Sequence, residues 1–163
     1  MPPDVPDHAP TAGWFEGREH RLPVRIYYED TDFTGVVYHA NYLLYFEDAR
    51  NHFLEEIGFP YSRIEEAGMM CPIHDVNMTY GSPLRYGEEA FVVTEVIENR
   101  ATKTTYSQRV YRAGMDPTTD KPCVDGVITA CMVERDTFKP VSIKRVFPEL
   151  FARYDEILAG HAQ

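Results

Sequence analysis

Between Asn41 and Ile57, apolar side chains recur at steps of three and four: Tyr42, Tyr45, Phe46, Ala49, Phe53 and Ile57. That spacing gathers them on one stripe of an α-helix, with polar residues opposite. Gly58 and Pro60 then stop it. A helix of about five turns can cross a small sheet, and its stripe needs one to be buried. The remainder of the chain therefore has to supply strands.

It does so on both sides of the helix. From Leu22 to Tyr28 the residues alternate, with Val24, Ile26 and Tyr28 on one face and Arg25 and Tyr27 on the other, which predicts a half-buried strand. A short helix is predicted over Tyr61–Glu66. Strands follow over 71–80, 90–98, 103–112 and 127–134, rich in β-branched and aromatic residues. The stretch "GSPLRYGEE" and residues 99–102 read as turns, and "AGMDPTTDKPCVDG" as a longer loop. A last amphipathic helix starts at Pro148 and carries Leu150, Phe151, Tyr154, Ile157 and Leu158. Residues 1–20, rich in Pro, Asp, Gly and Ala, read as a flexible arm, and 21–163 as a single domain. The order is strand, long helix, then four strands joined by hairpins. This implies an α+β domain with a five-stranded antiparallel sheet covered by one helix. A homo-oligomer is expected to cover what such a sheet leaves exposed.

Charge narrows the partners. With 16 Lys and Arg against 26 Asp and Glu, the formal charge is −10, which argues against a nucleic-acid or anionic-membrane partner. No apolar run approaches the roughly 18 residues of a membrane span. The opening "MPPDVPDHAPTAG" lacks the basic flank and apolar core of a secretory signal. Cys71, Cys123 and Cys131 are odd in number and lack metal-ligand spacing. They are expected to be reduced packing thiols in a cytoplasmic protein that binds no metal.

The stretch "YYEDTDFTGVVYHANYLLYFEDAR", Tyr27 to Arg50, carries the chemistry. Asp32 follows the first predicted strand, Gly35 permits a tight bend, and the long helix begins near His39 to Asn41. The first N–H groups of a helix have no internal acceptor and carry the positive end of its dipole. Aimed at a carbonyl oxygen they form an oxyanion site, and an acid facing them could attack the carbonyl carbon or activate water. An Asp before a helix is also a common cap or turn residue, and residue types alone leave both readings open.

From Val24 to Arg50 the residues "VRIYYEDTDFTGVVYHANYLLYFEDAR" resemble the 4-hydroxybenzoyl-CoA thioesterase family of hotdog-fold proteins, in particular its YbgC-type acyl-CoA thioesterases associated with the Tol-Pal system. The resemblance spans roughly residues 21–140. It implies a hotdog fold, a sheet wrapped around one long central helix, and hydrolysis of acyl-CoA to free acid and CoA. Asp32 takes the position of the catalytic carboxylate, nucleophile or general base. His39 takes the helix-start position whose N–H polarises the thioester carbonyl, with a side chain thought to assist in the YbgC-like subgroup. Tyr38 is expected to shape the acyl pocket, Gly35 to form the bend and Asn41 to fix the helix start. Phe33 is bulkier than the residue relatives often carry there.

Glu29 and Asp30 are left without a role. Glu47 and Arg50 read as a solvated or interface ion pair, with Glu47 a minor alternative acid because other hotdog thioesterases use a helix carboxylate. Arg100 and Lys103, grouped with Arg109 and Arg112 around one hairpin, are the candidates for the CoA phosphates. His74, Asp75 and Asn77 are polar positions of the second strand, suited to the site or to an interface. No cofactor is expected, since CoA is part of the substrate, and short aliphatic acyl groups are preferred over aromatic ones. The expected assembly is a homodimer or homotetramer. The alternative function is a non-catalytic hotdog protein that binds acyl-CoA or acyl carrier protein, with partners in lipid synthesis at the envelope.

Overall fold

The chain enters the sheet at Trp14. The structure, a computed structural model, describes residues 13–160. Within them β1 (Trp14–Glu16) and β2 (Glu19–Arg25) form a tight hairpin. Residues 13–20 are thus part of the domain and not of an arm; the remainder of the expected arm lies outside the described residues. His20, inside this hairpin, is fully buried with its ring edge-on to Phe15 and near Phe53. These ring contacts hold the hairpin against the domain.

After β2 come α1 (Tyr42–Glu56), α2 (Tyr61–Glu66), β3 (Met69–Met70) and β4 (Ile73–Tyr80). They are followed by β5 (Glu89–Asn99), β6 (Lys103–Arg112), β7 (Val124–Cys131) and β8 (Val133–Glu134). The chain closes with α3 (Ile143–Val146) and α4 (Pro148–Leu158). The main sheet is antiparallel in the order β1-β2-β5-β6-β7-β4, and β3 pairs with β8 separately. The five expected strands are present, and β1 adds a sixth.

Two expectations change. The first strand stops at Arg25, because Tyr28–Asp30 turn as a 3-10 helix and Tyr28 faces solvent. And β4 does not form a hairpin with β5. It pairs with β7 at the opposite edge, so "GSPLRYGEE" is a crossover past β7 and β6 rather than a turn. Leu84 is fully buried in that crossover, which pins it under the sheet.

Strand register explains how the sheet receives α1. Leu22, Val92, Val110 and Val124 line up across four strands, and Val96, Tyr106 and Ile128 form a parallel row. All are buried. Between them runs a row holding Thr94, Gln108 and Gly126. Phe46 of α1 descends onto this middle row, where a Cβ built on Gly126 would stand 2.7 Å from the Phe46 ring. Gly126 is the concession that lets the helix approach. Gln108 Nε2 donates to the Phe46 carbonyl at 2.9 Å and to Thr94 Oγ1 at 3.0 Å. Its Oε1 accepts from Arg50 Nη1 at 2.7 Å.

Arg50 is therefore not a solvated partner of Glu47. It is 3% exposed, held between Gln108 and the Glu47 carboxylate. A buried guanidinium is tolerated only with such partners. The lower half of α1 packs in a second cluster with Phe59, Ile64, Phe147, Leu150, Tyr154 and Ile157. There the Tyr106 and Tyr154 hydroxyls bond at 2.6 Å. Each fully buried large side chain contributes about 1.5–3 kcal/mol by burial alone.

Because the Phe46 ring is enclosed and cannot swing away, Gly126→Ala is expected to overpack this contact. The loss should be about 1–3 kcal/mol, read as a lower urea midpoint at unchanged m-value.

Candidate active site

The loop between β2 and α1 is fixed from within and from outside. Thr31 and Val37 bridge, Asp32 N donates to Val36 O at 2.9 Å and Gly35 N to Asp32 O at 3.0 Å. The turn closes with Gly35 at φ +82°, the left-handed region that favours glycine. From outside, Val37 N donates to Leu84 O at 2.8 Å and Val36 bridges Arg85. The β4–β5 crossover is thus the floor of the loop.

Asp30 ties the loop to the helix. Its Oδ2 accepts from Tyr27 N at 2.7 Å, its Oδ1 from Asn41 Nδ2 at 2.8 Å, and its carbonyl from Tyr38 N at 2.9 Å. Left without a role by the sequence, Asp30 is the residue that joins strand exit, loop and helix start. Asn41 is tied to Asp30, and its side chain caps no helix N–H.

Asp32 stands at the near end of the loop. Thr34 N at 2.8 Å and the Thr34 hydroxyl both donate to Asp32 Oδ1. The Thr34 hydroxyl chiefly, then its N–H, with a smaller contribution from nearby His39, hold the carboxyl below its ordinary value. Asp32 is therefore ionised at neutral pH. His39 opens a 3-10 turn, His39–Asn41, that runs into α1. The N–H groups of His39 and Ala40 begin this turn and have no acceptor inside it. Tyr80 of β4 donates its hydroxyl to His39 O at 2.8 Å.

Asp32 and His39 line one cavity of about 260 Å³, together with Val37, Tyr42, Tyr80 and Pro83. Larger hollows exist, one beside Trp14, Pro23 and Phe91 and another beside Met69, Met70 and Phe138. Neither is lined by Asp32 or by the helix start at His39. Tyr38 does not line the Asp32 cavity; its ring lies 4.5 Å from that of His39. Phe33 projects fully into solvent.

The basic group does not converge. Arg109 is bonded to Glu19 at 2.7 Å and Arg112 to Glu88 at 2.9 Å. Arg100 pairs with Glu98 at 2.7 Å, and Lys103 Nζ lies 3.0 Å from His74 Nε2. His74 and Tyr80 stand at opposite ends of β4, on the order of 20 Å apart at about 3.4 Å per residue. Within one chain Arg100 and Lys103 are thus remote from Asp32. Cys71 offers no competing nucleophile, since burial pushes its thiol up to about 12.

Residues 27–151 match the family model of the thioesterase-like superfamily. The chain belongs to that superfamily. Its relatives include the putative acyl-CoA thioesterase YneP of Bacillus subtilis, 34% identical over 137 residues that cover 82% of this chain and 93% of YneP. The acyl-CoA thioesterase YbgC of Helicobacter pylori J99 is 33% identical over 132 residues, covering 78% and 96%. Among solved structures, a DHNA-CoA thioesterase from Staphylococcus aureus superposes with a TM-score of 0.79 at 28% identity, covering 86% of this chain and 91% of that one. This thioesterase-like protein is of the YbgC type and has the hotdog fold.

A low-lying acid limb follows from the Asp32 environment. Thr34→Val removes the hydroxyl donor and keeps the backbone one, so the carboxylate pKa should rise toward its ordinary 3.8. If Asp32 must be ionised for turnover, the acid limb of the pH–kcat/KM profile is expected to move to higher pH in Thr34→Val. The neutral-pH rate should stay close to wild type.

Proposed function

We propose that the protein is an acyl-CoA thioester hydrolase and that Asp32 and the helix start at His39 are its working parts. The observation that carries this reading is that an ionised carboxylate and His39, the residue that opens the helix start, line the same cavity. The names of the YneP and YbgC relatives support the same activity.

In this reaction the thioester carbonyl oxygen sits at the N–H of His39, at the helix start, which stabilises the negative charge that develops there. Asp32 acts in one of two ways. As nucleophile it bonds to the carbonyl carbon, the carbon–sulfur bond breaks, CoA leaves as thiolate, and water then hydrolyses the mixed anhydride. As general base it takes a proton from the water that attacks directly. Both routes consume one water and release a free acid and CoA-SH, so no cofactor enters. In this reading the His39 side chain assists proton transfer to the leaving group. Short aliphatic chains are the proposed substrates.

A second copy of the chain completes the proposal. β4 is an edge strand bonded only to β7, with Ile73, Val76 and Tyr80 exposed along it and Leu43 and Leu44 exposed on α1. Antiparallel pairing of β4 with its copy in a homodimer, or within a homotetramer, would cover this edge. It would also set the Lys103 and Arg100 end of one protomer beside the Asp32 end of the other. There those cations can take the CoA phosphates. The three cysteines are free thiols, which suits the cytoplasm, and no helix among the described residues is long and apolar enough to cross a membrane.

Thiol release from a panel of acyl-CoAs, aliphatic chains of increasing length and aromatic acyl groups, tests this reading. Wild type should turn over short chains best, and Asp32→Asn should lose roughly 10²–10⁴-fold in kcat while remaining folded. Equal rates for the two proteins would remove Asp32 from the chemistry. Tight binding of acyl-CoA or acyl carrier protein without thiol release would favour the non-catalytic function.

A further inference from the structure

Resting on the hydrolase reading, we infer that Asp30 is a positioning residue that holds the Asp32 carboxylate and the His39 N–H at a fixed separation. Asp30 stands two residues before the acid. Its carbonyl and both of its side-chain oxygens accept hydrogen bonds, and they reach the helix start by two routes.

The first route is the backbone. Asp30 O accepts from Tyr38 N at 2.9 Å, Thr31 bridges Val37, and Asp32 N donates to Val36 O at 2.9 Å. Together these links form a short ladder closed by the Gly35 turn. Its outermost rung joins Asp30 to the residue immediately before His39. The two arms of the loop, one carrying Asp32 and the other leading to His39, are thus tied at Asp30.

The second route is the side chain. Oδ2 accepts from Tyr27 N at 2.7 Å, which closes the 3-10 turn Tyr28–Asp30 and fixes the carboxyl group. Oδ1 then accepts from Asn41 Nδ2 at 2.8 Å. The Asn41 side chain caps no helix N–H, so this bond is no part of the helix's own hydrogen bonding. Asn41 N in turn donates to Tyr38 O at 2.8 Å. Tyr38 C=O and His39 N–H belong to one planar trans peptide unit, so whatever fixes that carbonyl fixes the N–H. Asp30 grips this unit from both sides. Its carbonyl holds the Tyr38 N–H before it, and its side chain holds the residue that takes the Tyr38 carbonyl.

Asn41→Ala removes the Oδ1 link alone, and Asp30→Ala removes both side-chain bonds while keeping the backbone rung. A misplacement of about 1 Å costs roughly 10²-fold in rate, so each variant is expected to lose roughly tenfold to a hundredfold in kcat. KM should stay near wild type. Because both variants break one shared link, the double variant should lose no more than the worse single one. Asp30→Asn still accepts from Tyr27 N and meets Asn41 once that amide turns, so it should recover most of the rate. In ¹⁵N-labelled protein without substrate, the His39 amide resonance should shift in both alanine variants. A role in folding alone would lower the thermal midpoint and leave kcat per folded enzyme and the His39 resonance in place, which overturns the inference. Losses that multiply in the double variant overturn it too. If Asp30→Ala does not fold, Asn41→Ala decides through the same two readouts. A wild type that hydrolyses no acyl-CoA defeats the hydrolase reading instead. An unchanged His39 resonance in Asn41→Ala would then still overturn the claim that Asp30 sets that peptide.

Discussion

The depth at which α1 lies on the sheet governs everything else in this molecule. That depth is set by Phe46 resting on Gly126, where no Cβ intervenes, and by Gln108 reaching from β6 to the Phe46 carbonyl. A polar side chain in the middle of an apolar face is costly unless satisfied. Gln108 is satisfied by the helix backbone, by Thr94 and by Arg50. This makes the helix position specific: sliding α1 would break the bond to Phe46 O and strand the buried guanidinium. Apolar burial supplies the stability, and the polar row supplies the register.

From that fixed helix the site is assembled by two kinds of link. Short-range bonds within the loop, Thr34 to Asp32 and Gly35 to Asp32, shape and ionise the carboxylate. Long-range bonds, Asn41 to Asp30, Val37 to Leu84 and Tyr80 to His39, lock the loop and the helix start to each other and to the sheet. The acid and the helix start are thereby held in place by bonds of the chain itself.

Local patterns were legible in the sequence and long-range ones were not. The stripe from Tyr42 to Phe53 predicts α1, and α2 falls where its spacing puts it, because helical periodicity is a local property. The alternation at 103–112 likewise predicts β6. "GSPLRYGEE" has the composition of a turn, and nothing local says that the chain runs under two strands before it re-enters the sheet. Arg50 looks like half of a surface i,i+3 pair, and only the facing strand shows that Gln108 awaits it. Asp32 and His39 were singled out through the family resemblance, whereas Asp30 and Tyr80 bond to partners 11 and 41 residues away, which no local pattern announces. Thr34, two residues after Asp32, did carry a local sign, the Asx-type turn.

The central claim is that the helix start polarises the thioester carbonyl that Asp32 acts upon. The direct measurement is the carbonyl stretch of a ¹³C-labelled acyl-CoA bound to Asp32→Asn, taken by isotope-edited infrared difference spectroscopy. Polarisation by the helix-start N–H should lower the stretching frequency below its value for the same acyl-CoA in water. A frequency equal to or above the solution value would contradict polarisation by the helix start.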